Sequence, residues 1–259
     1  MKKIIAVAAA VVMAFSAPVA GFAEQSIVTN KRIYYTTGYN KAAMSYNSAS
    51  VKLSKKSDDK EYIKVELTYP NFRSNNTNIK AFNTANKTYY RELGDDFIKE
   101  YTKSAKKYFD ENKKSMSKKD DAPYLLKLDY SMKFNKNSVV SIFYTLTETT
   151  PEGQSVSYYT QNYDFVTGKS LTPDNVSILP KSGETMKLAV NTFNSKIKNG
   201  RNMYYQDVTI TENDINFYFE KDAITFFVLP GVMADESRGL VTFRLDDKAA
   251  RKYLLNQVN

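Results

Sequence analysis

The sequence contains no cysteine, no histidine and no tryptophan among its 259 residues. Without cysteine the chain offers no disulfide and no thiol nucleophile, and without histidine it lacks every triad or zinc site that needs an imidazole. Phosphate loops, dinucleotide fingerprints and calcium loops are also missing. We therefore expect no catalytic residues, no metal and no cofactor. The missing cysteine does not restrict the compartment, because an oxidising exterior permits disulfides without requiring them.

Long apolar runs are scarce too, and the clearest one spans Ile4–Phe15, directly after a short basic start. A basic start, an apolar run and small residues form the pattern of a secretory signal peptide. Gly21 and Ala23 fit the −3 and −1 positions of a cleavage site, and cleavage after Ala20 is the alternative. The run is shorter than the roughly 20 apolar residues that a spanning helix needs. We expect residues 1–23 to be removed, leaving a mature chain in the periplasm or cell wall without a transmembrane segment.

Positive charge is unevenly distributed along the expected mature chain. From Glu24 to Lys133 there are 22 basic and 14 acidic residues, whereas from Phe134 to Asn259 there are 13 and 14. A basic half could be attracted to an anionic wall polymer. A lysine-rich soluble surface would give the same count. Nucleic acid is not an expected partner of an exported protein.

Alternation of apolar and polar residues predicts a series of strands. The first runs through Ile63, Val65, Leu67 and Tyr69, after a charged turn at 55–60. The other predicted strands run from Tyr124 to Phe134, from Val140 to Leu146, through Tyr159, Tyr163 and Phe165, from Ile215 to Phe219, from Ile224 to Leu229 and from Leu240 to Leu245. Turn residues at 135–137, 151–153, 167–169 and 220–223 separate several of them.

Helical spacing of apolar residues predicts three helices. The longest runs from about Asn78 to Glu111, with Gly94 as the point where it could loosen, and its core-facing stripe comprises Ile79, Phe82, Tyr89, Leu93, Phe97, Tyr101, Ala105 and Tyr108. A second helix is predicted from about Gly183 to Lys198 and a third from Asp247 to Val258. We expect an α+β fold in which long amphipathic helices pack on antiparallel sheets, with subdomains 24–134 and 135–259.

Three segments carry a resemblance to a known family. They are the strand end Thr68-Tyr69-Pro70 ahead of the long helix, the Tyr163–Leu171 segment with its Thr-Gly-Lys turn, and Phe217–Pro230 followed by Gly239. Their order resembles a family of extracytoplasmic bacterial domains of unknown function. The family occurs in the outer part of lysozyme-sensing anti-sigma factors, ahead of the catalytic domain of some peptidoglycan deacetylases, and as free-standing secreted proteins. The likeness extends from about Tyr62 to Leu245.

The chain also departs from that family. The loop Thr149–Ser155 has no histidine where relatives carry a Gly-Gly-Ala-His-like sequence, and Gly231 replaces a tyrosine that usually follows the late proline. Only three residues precede the apolar run at the start, so we expect the outer module without the cytoplasmic part of an anti-sigma factor.

The resemblance implies a non-catalytic binding module of the cell envelope. Its ligand would be a lysozyme-like protein or a wall component, either peptidoglycan or an anionic wall polymer. Tyrosines suit such a surface, because each offers a wide amphipathic contact area with few torsions to immobilise. Neighbouring residues of a strand point to opposite faces, so one of the two adjacent tyrosines should be buried. The candidate binding residues are Glu152, Gln154, Tyr158, Tyr159, Asp235, Glu236 and Arg238.

The alternative is a glycan-active hydrolase or lyase of the cell wall. A hydrolase would need two carboxylates about 5 Å apart for retention, or roughly 6.5–9.5 Å apart for inversion. Glu148, Glu152 and Asp164 are close together in the sequence, but their spacing matches no catalytic motif. A structural wall component is less favoured, because the chain lacks repeats and low-complexity segments.

Overall fold

The computed structural model describes residues 42–114, 122–173, 183–220 and 223–246. The expected signal peptide and the predicted helix 247–258 lie outside these ranges. Within them, no helix has the length and apolar character required to cross a bilayer.

The described residues form two α-helices and nine strands, and the expected α+β class is confirmed. The six-stranded sheet has the order β1-β2-β3-β4-β5-β6, and the three-stranded sheet has the order β7-β8-β9. In chain order the elements are β1 Tyr46–Ser57, β2 Lys60–Phe72, α1 Thr77–Asn112, β3 Tyr124–Lys136, β4 Val139–Thr150, β5 Gly153–Asp164, β6 Lys169–Ser170, α2 Glu184–Asn199, β7 Ile215–Glu220, β8 Ala223–Val228 and β9 Val241–Asp246.

Two parts of the predicted architecture need correction. Sheet outweighs helix in the described ranges, where α1 has 36 residues but α2 only 16, so the expected set of long amphipathic helices is not observed. The sheets are also not wholly antiparallel, because β2 and β3 pair in parallel from Ile63 opposite Tyr124 to Leu67 opposite Leu128. Parallel neighbours need a long crossover connection, and α1 lies within it.

Strand β1 was not predicted, although its turn was. The charged segment at 55–60 reverses the chain at Asp58 and Asp59, which both have positive φ angles, 51° and 62°. Two successive residues with positive φ are typical of a tight hairpin turn. β1 itself is mostly exposed, and Val51 is its buried residue. An edge strand with so little burial leaves no clear alternation for sequence analysis to detect.

The structure divides into two compact units, which are named here after their helices. The α1 unit comprises Met44–Ser131 and Tyr144–Tyr158, and the α2 unit comprises Met132–Phe143 with the described residues from Tyr159 onward. The predicted subdomains 24–134 and 135–259, which divide the chain at a single point, stay a prediction.

In the α1 unit, α1 packs on β1 and β2. The helix begins where the Asn76 side chain accepts hydrogen bonds from the backbone N–H groups of Asn78 and Ile79, at 2.8 and 3.1 Å, which is a standard N-cap. The buried face of α1 is rotated relative to the predicted stripe. The buried face includes Asn86 and Gly94, which were not counted as apolar residues in the prediction. The buried residues are Ile79, Phe82, Asn86, Tyr90, Gly94, Phe97, Ala105 and Phe109, whereas Tyr89, Leu93, Tyr101 and Tyr108 are half-buried.

A group of tyrosines fills the centre of the α1 unit. Tyr90 is fully buried and stacks on Tyr69, with ring centroids 4.7 Å apart. Its side chain also hydrogen-bonds to that of Tyr144, which is fully buried as well. Burial raises the pKa of Tyr144, so this hydroxyl stays neutral. A buried hydroxyl is tolerated when it has a hydrogen-bond partner, and here each of the two satisfies the other.

In the α2 unit, α2 and the three-stranded sheet enclose a second core. Phe193, Ile197, Phe219, Phe226 and Leu245 are among its buried residues. A buried polar network joins β7 to β4 and β5. The Ser141 hydroxyl donates to Asn162 Oδ1 at 2.5 Å and accepts from Phe219 N–H at 3.1 Å. The Asn162 amide donates to the carbonyl of Phe217 at 2.9 Å.

Gly94 does not loosen α1, but instead permits its close approach to the hairpin. A Cβ at residue 94 would lie 3.0 Å from Leu53 Cδ1 and 3.1 Å from Val65 Cγ1. Val65 is fully buried and, being β-branched, has few alternative rotamers. Glycine is therefore required here for packing, at a position where its helix propensity is poor.

We predict that Gly94→Val lowers the free energy of unfolding by about 2 kcal/mol, because overpacking a core typically costs about 1–3 kcal/mol. Helix propensity alone predicts the opposite sign, since valine is a better helix former than glycine. Urea unfolding monitored by circular dichroism measures the difference. Lys99→Val, at an exposed position of the same helix, is the matched control and should change stability by less than about 0.5 kcal/mol. If Gly94→Val is more stable than the wild type, the space between residue 94 and the side chains of Leu53 and Val65 is large enough for a valine side chain.

Candidate functional site

The seven predicted binding residues are divided between the two units. Glu152, Gln154 and Tyr158 belong to the α1 unit, and the other four belong to the α2 unit. Tyr159 is 2% exposed and Tyr158 is half-buried, which confirms that one of the two adjacent tyrosines faces the core. Tyr159 is therefore not available as a surface contact. Whether the other six bind a ligand stays a prediction.

In the α1 unit, the turn between β4 and β5 is organised by local hydrogen bonds. Glu152 is exposed, and a hydrogen bond from the Thr150 side chain lowers the pKa of its carboxyl group. The Gln154 amide donates to Thr149 Oγ1 at 3.3 Å. Both predicted residues thus have a structural role in the turn, and both remain accessible.

Glu148, one of the carboxylates of the hydrolase alternative, is held by a tyrosine. It is 9% exposed, and its Oε1 accepts a hydrogen bond from the Tyr101 hydroxyl at 2.6 Å. The Tyr101 ring lies between those of Phe97 and Tyr124, with centroids 4.8 and 5.3 Å away. Burial raises the pKa of Glu148, although the bond from Tyr101 opposes this effect. A carboxyl with a raised pKa resembles a general acid, and sequence analysis gave no reason to rank it above Glu152.

Asp164, the third carboxylate, has a structural role in the α2 unit. It is 1% exposed, and it accepts hydrogen bonds from Val166 N–H at 2.8 Å and from the Thr167 hydroxyl at 2.9 Å. These bonds close the Thr-Gly-Lys turn. Gly168 has a φ of 70° in this turn, a backbone conformation that favours glycine. A carboxylate used in this way stabilises a turn, and the conformation explains the presence of the motif without a ligand.

The segment after α2 is a loop that hydrogen bonds hold in place. The Asn194 side chain donates to the Ile210 carbonyl and accepts from its N–H, both at 2.9 Å. Gln206 Nε2 donates to the Ile197 carbonyl at 3.1 Å, which ties the loop to the end of the helix. Two apolar side chains of this loop nevertheless point to solvent, since Met203 is 49% exposed and Tyr205 is 40% exposed.

A second loop, from Pro230 to Gly239, is bonded to the first, because Tyr205 N–H donates to the Met233 carbonyl at 3.0 Å. The Asp235 carboxylate accepts from Ser237 N–H at 2.9 Å and begins a short 3-10 helix, Glu236–Arg238. Hydrogen bonding from Ser237 lowers the pKa of Asp235, so the carboxylate stays ionised in mildly acidic solution.

The two loops together form what is called here the loop surface: Met203, Tyr205, Asp235, Glu236 and Arg238, all of which are exposed. It combines two apolar side chains with charges of both signs. The three charged residues were among the predicted binding residues, whereas Met203 and Tyr205 were not. The signal for them is Met203-Tyr204-Tyr205, an apolar run directly after the helix stop at Gly200, where a solvated loop would carry polar residues.

Comparisons with known proteins give a family match over part of the chain and a shared fold. A sequence model of the family described as Deacetylase PdaC matches residues 56–150, well under half of the chain. This match supports the deacetylase-associated part of the predicted resemblance. No curated protein matches the chain.

Two solved structures are similar. A member of the DUF3298 family from Bacteroides fragilis is 16% identical, with a TM-score of 0.57 over 82% of this chain and 94% of that one. A DUF3298 family protein from Pseudomonas aeruginosa is 10% identical, with a TM-score of 0.49 over the same shares. The first shows that the chain shares the fold of a DUF3298 protein.

We predict that wild type and Glu148→Gln differ in the pH dependence of their stability, because burial raises the pKa of the Glu148 carboxyl group. A carboxyl whose pKa is higher in the folded state stabilises the fold below the unfolded pKa, and this contribution is lost as the pH rises through the folded value. Relative to Glu148→Gln, the wild type should therefore lose free energy of unfolding as the pH rises above about 4.3, the ordinary pKa of a glutamate. Glutamine retains an acceptor for Tyr101. Urea unfolding at a series of pH values measures the difference.

The matched control is Glu152→Gln on the same hairpin. Its carboxyl has a lowered pKa, so this variant should show a small difference of the opposite sign. Equal pH dependence in the wild type and in Glu148→Gln would mean that Glu148 is no more desolvated than an ordinary surface carboxylate.

Proposed function

We propose that the chain is an exported, non-catalytic binding module of the bacterial cell envelope, and that its loop surface binds a basic protein of the lysozyme type. The observation that carries the proposal is the exposure of Met203 and Tyr205 on a loop fixed by hydrogen bonds. Exposed apolar side chains on a rigid support are what a recognition surface needs, because little conformational entropy is lost on binding.

The composition of the loop surface suits a protein partner. Interfaces are enriched in tyrosine and methionine at their centre and carry polar groups at their rim. Met203 and Tyr205 would form the centre, with Asp235, Glu236 and Arg238 at the rim. Tyrosine is also a frequent hot-spot residue, whose truncation costs about 2 kcal/mol or more.

Charge favours a basic partner at short range only. Asp235 and Glu236 would meet a cationic protein with complementary charge, and the lowered pKa of Asp235 keeps that group negative. The whole chain, however, carries a formal net charge of +9, which repels a cationic protein at long range. Moderate salt screens long-range repulsion. A complex formed through the loop surface should therefore survive moderate salt, whereas adsorption by bulk charge should not.

Export is supported by the pattern of the first 23 residues and by the resemblance to extracytoplasmic domains.

We predict that protein recovered from the periplasm or culture medium begins at Glu24 rather than Met1. N-terminal sequencing or intact mass measurement tests this. Recovery of the full-length chain from the cytosol would contradict both the location and the partners inferred from it.

A wall-glycan hydrolase remains the second candidate, favoured by Glu148 with its raised pKa and its tyrosine partner. A hydrolase needs a second carboxylate at a defined separation. Glu152 is near enough for its charge to contribute to the raised pKa of Tyr101, but its own lowered pKa suits an ionised base rather than an acid. Release of reducing sugars from peptidoglycan that disappears in Glu148→Gln would establish this activity.

We predict that Met203→Ser/Tyr205→Ser weakens binding of the mature chain to immobilised lysozyme by at least about tenfold, because it removes the apolar centre of the surface. Surface plasmon resonance at two salt concentrations provides the measurement. The control is Val166→Ser, which removes an apolar side chain that is 44% exposed elsewhere in the same unit and should leave affinity unchanged.

Two results would contradict the proposal. One is wild-type retention that disappears at moderate salt, which would indicate bulk charge. The other is equal loss of affinity in the control and in the loop-surface variant, which would place the interface elsewhere.

A further inference from the structure

In the α2 unit, one lysine lies over two aromatic rings and has no acidic partner in the part of the chain that the structure describes. Lys133 Nζ lies 5.0 Å from the ring centroid of Tyr218 and 5.3 Å from that of Phe143. The two rings contact each other edge to face at 5.7 Å, and Phe227 lies 5.5 Å from Phe143 behind them. Phe227 is fully buried, whereas Lys133, Phe143 and Tyr218 are half-buried and reach the surface.

Lys133 differs from two other half-exposed or exposed strand lysines, Lys64 and Lys127, in having no carboxylate partner among the described residues. Lys64 pairs with Glu66 at 3.0 Å, and Lys127 pairs with Asp129 at 2.7 Å. The equivalent neighbour of Lys133, two residues on, is Asn135. Within the described ranges, Lys133 makes its two cation–π contacts and no ion pair. Its ammonium group is therefore positioned by the rings while its N–H donors stay available.

Polar side chains lie on the face of the three-stranded sheet that carries Tyr218. Alternation along a strand places Asn216 and Tyr218 on one face, and the register sets Asn216 and Thr242 opposite Phe227 on either side. The other cation of this face, Arg244, is already paired with Glu220 and with Asp246. Lys133 thus places a positive charge with no ion pair among the described residues beside two rings, and the sheet face that carries one of these rings also carries an amide and a hydroxyl.

We propose that Lys133, Phe143, Tyr218, Asn216 and Thr242 form a binding site for an anionic carbohydrate, that is, a sugar ring carrying a carboxylate or a phosphate. The ammonium would pair with the anion in a charge-assisted hydrogen bond. The partly exposed rings would contact the apolar face of the sugar, and the amide and the hydroxyl would bond to its hydroxyl groups. The choice of ligand rests on the proposed envelope role, because anionic carbohydrates are what an envelope offers.

The test is isothermal titration of the mature chain with three soluble probes of matched length. They are an oligosaccharide that contains glucuronate, a neutral N-acetylglucosamine oligosaccharide and an N-acetylglucosamine oligosaccharide that carries a phosphate. The first and third distinguish a carboxylate from a phosphate as the preferred anion. We expect Lys133→Met to weaken binding of the preferred anionic probe by about tenfold and to leave the weaker neutral binding unchanged. Lys133→Arg, which keeps the positive charge, should retain most of the affinity of the wild type.

The matched control is Lys127→Met, which removes one positive charge from the same strand at an exposed position. If it weakens anionic binding as much as Lys133→Met does, bulk charge is responsible and the site is refuted. Wild-type affinity that is equal for the neutral and the anionic probes refutes it as well. Unfolding midpoints of the variants show that any loss is not a loss of fold.

The outcomes separate this inference from the proposed protein partner. Retention on lysozyme without binding of any anionic probe would overturn the carbohydrate site and leave the partner in place. Anionic binding that depends on Lys133, with no retention on lysozyme, would do the reverse.

Discussion

The close packing of α1 on the β1–β2 hairpin is the constraint on which the α1 unit depends. Gly94 brings the helix backbone near Leu53 and Val65, and the neighbouring turn of the helix inserts Tyr90 against Tyr69. Since the chain leaves β2, runs through α1 and returns as β3, the position of the helix limits where β3 can pair. The parallel pairing of β2 and β3 requires a crossover of this kind, because parallel neighbours cannot be joined by a short turn.

Polar groups within this packing are tolerated because they satisfy one another. The hydroxyls of Tyr90 and Tyr144 share a hydrogen bond, and Ser141 and Asn162 connect strands of the α2 unit in the same way. Buried networks of this kind cost much when one partner is removed, since the remaining group loses both water and its bond. They therefore specify which strands are neighbours, in addition to the hydrophobic contribution of the rings. The many tyrosines serve the core as well as the surface.

The sequence was sufficient for much of the fold and for a smaller part of the candidate site. Strands such as β3 and β7 were predictable because one face of each is buried, which produces a clear alternation. β1 was not, because an exposed edge strand buries too little to leave a pattern. The rotation of the α1 stripe was missed because Gly94 and Asn86 are buried for reasons of space and hydrogen bonding, which hydrophobicity does not report. The parallel pairing depends on contacts between distant residues, and alternation within a strand carries no information about them.

The candidate sites were harder to predict for a related reason. Charged residues in a turn, such as Asp235 and Asp164, attract attention in a sequence, yet the structure gives both a role in closing their own turns. Met203 and Tyr205 look like ordinary core residues until their exposure is known. The apolar residues proposed for recognition, Met203 and Tyr205, are therefore distinguished by their exposure and not by their residue type.

Exposed ion pairs contribute little to stability, typically about 0–1 kcal/mol, so an acid beside Lys133 would have been a small change for the fold. Stability alone does not explain why this ammonium is partly desolvated while no described acidic side chain pairs with it, since partial burial disfavours a charge that has no counter-ion. The two rings compensate for some of that cost through cation–π attraction, but they accept no hydrogen bond of ordinary strength from its N–H groups. An external anion at the proposed carbohydrate site would accept those hydrogen bonds and would also balance the charge of the ammonium group.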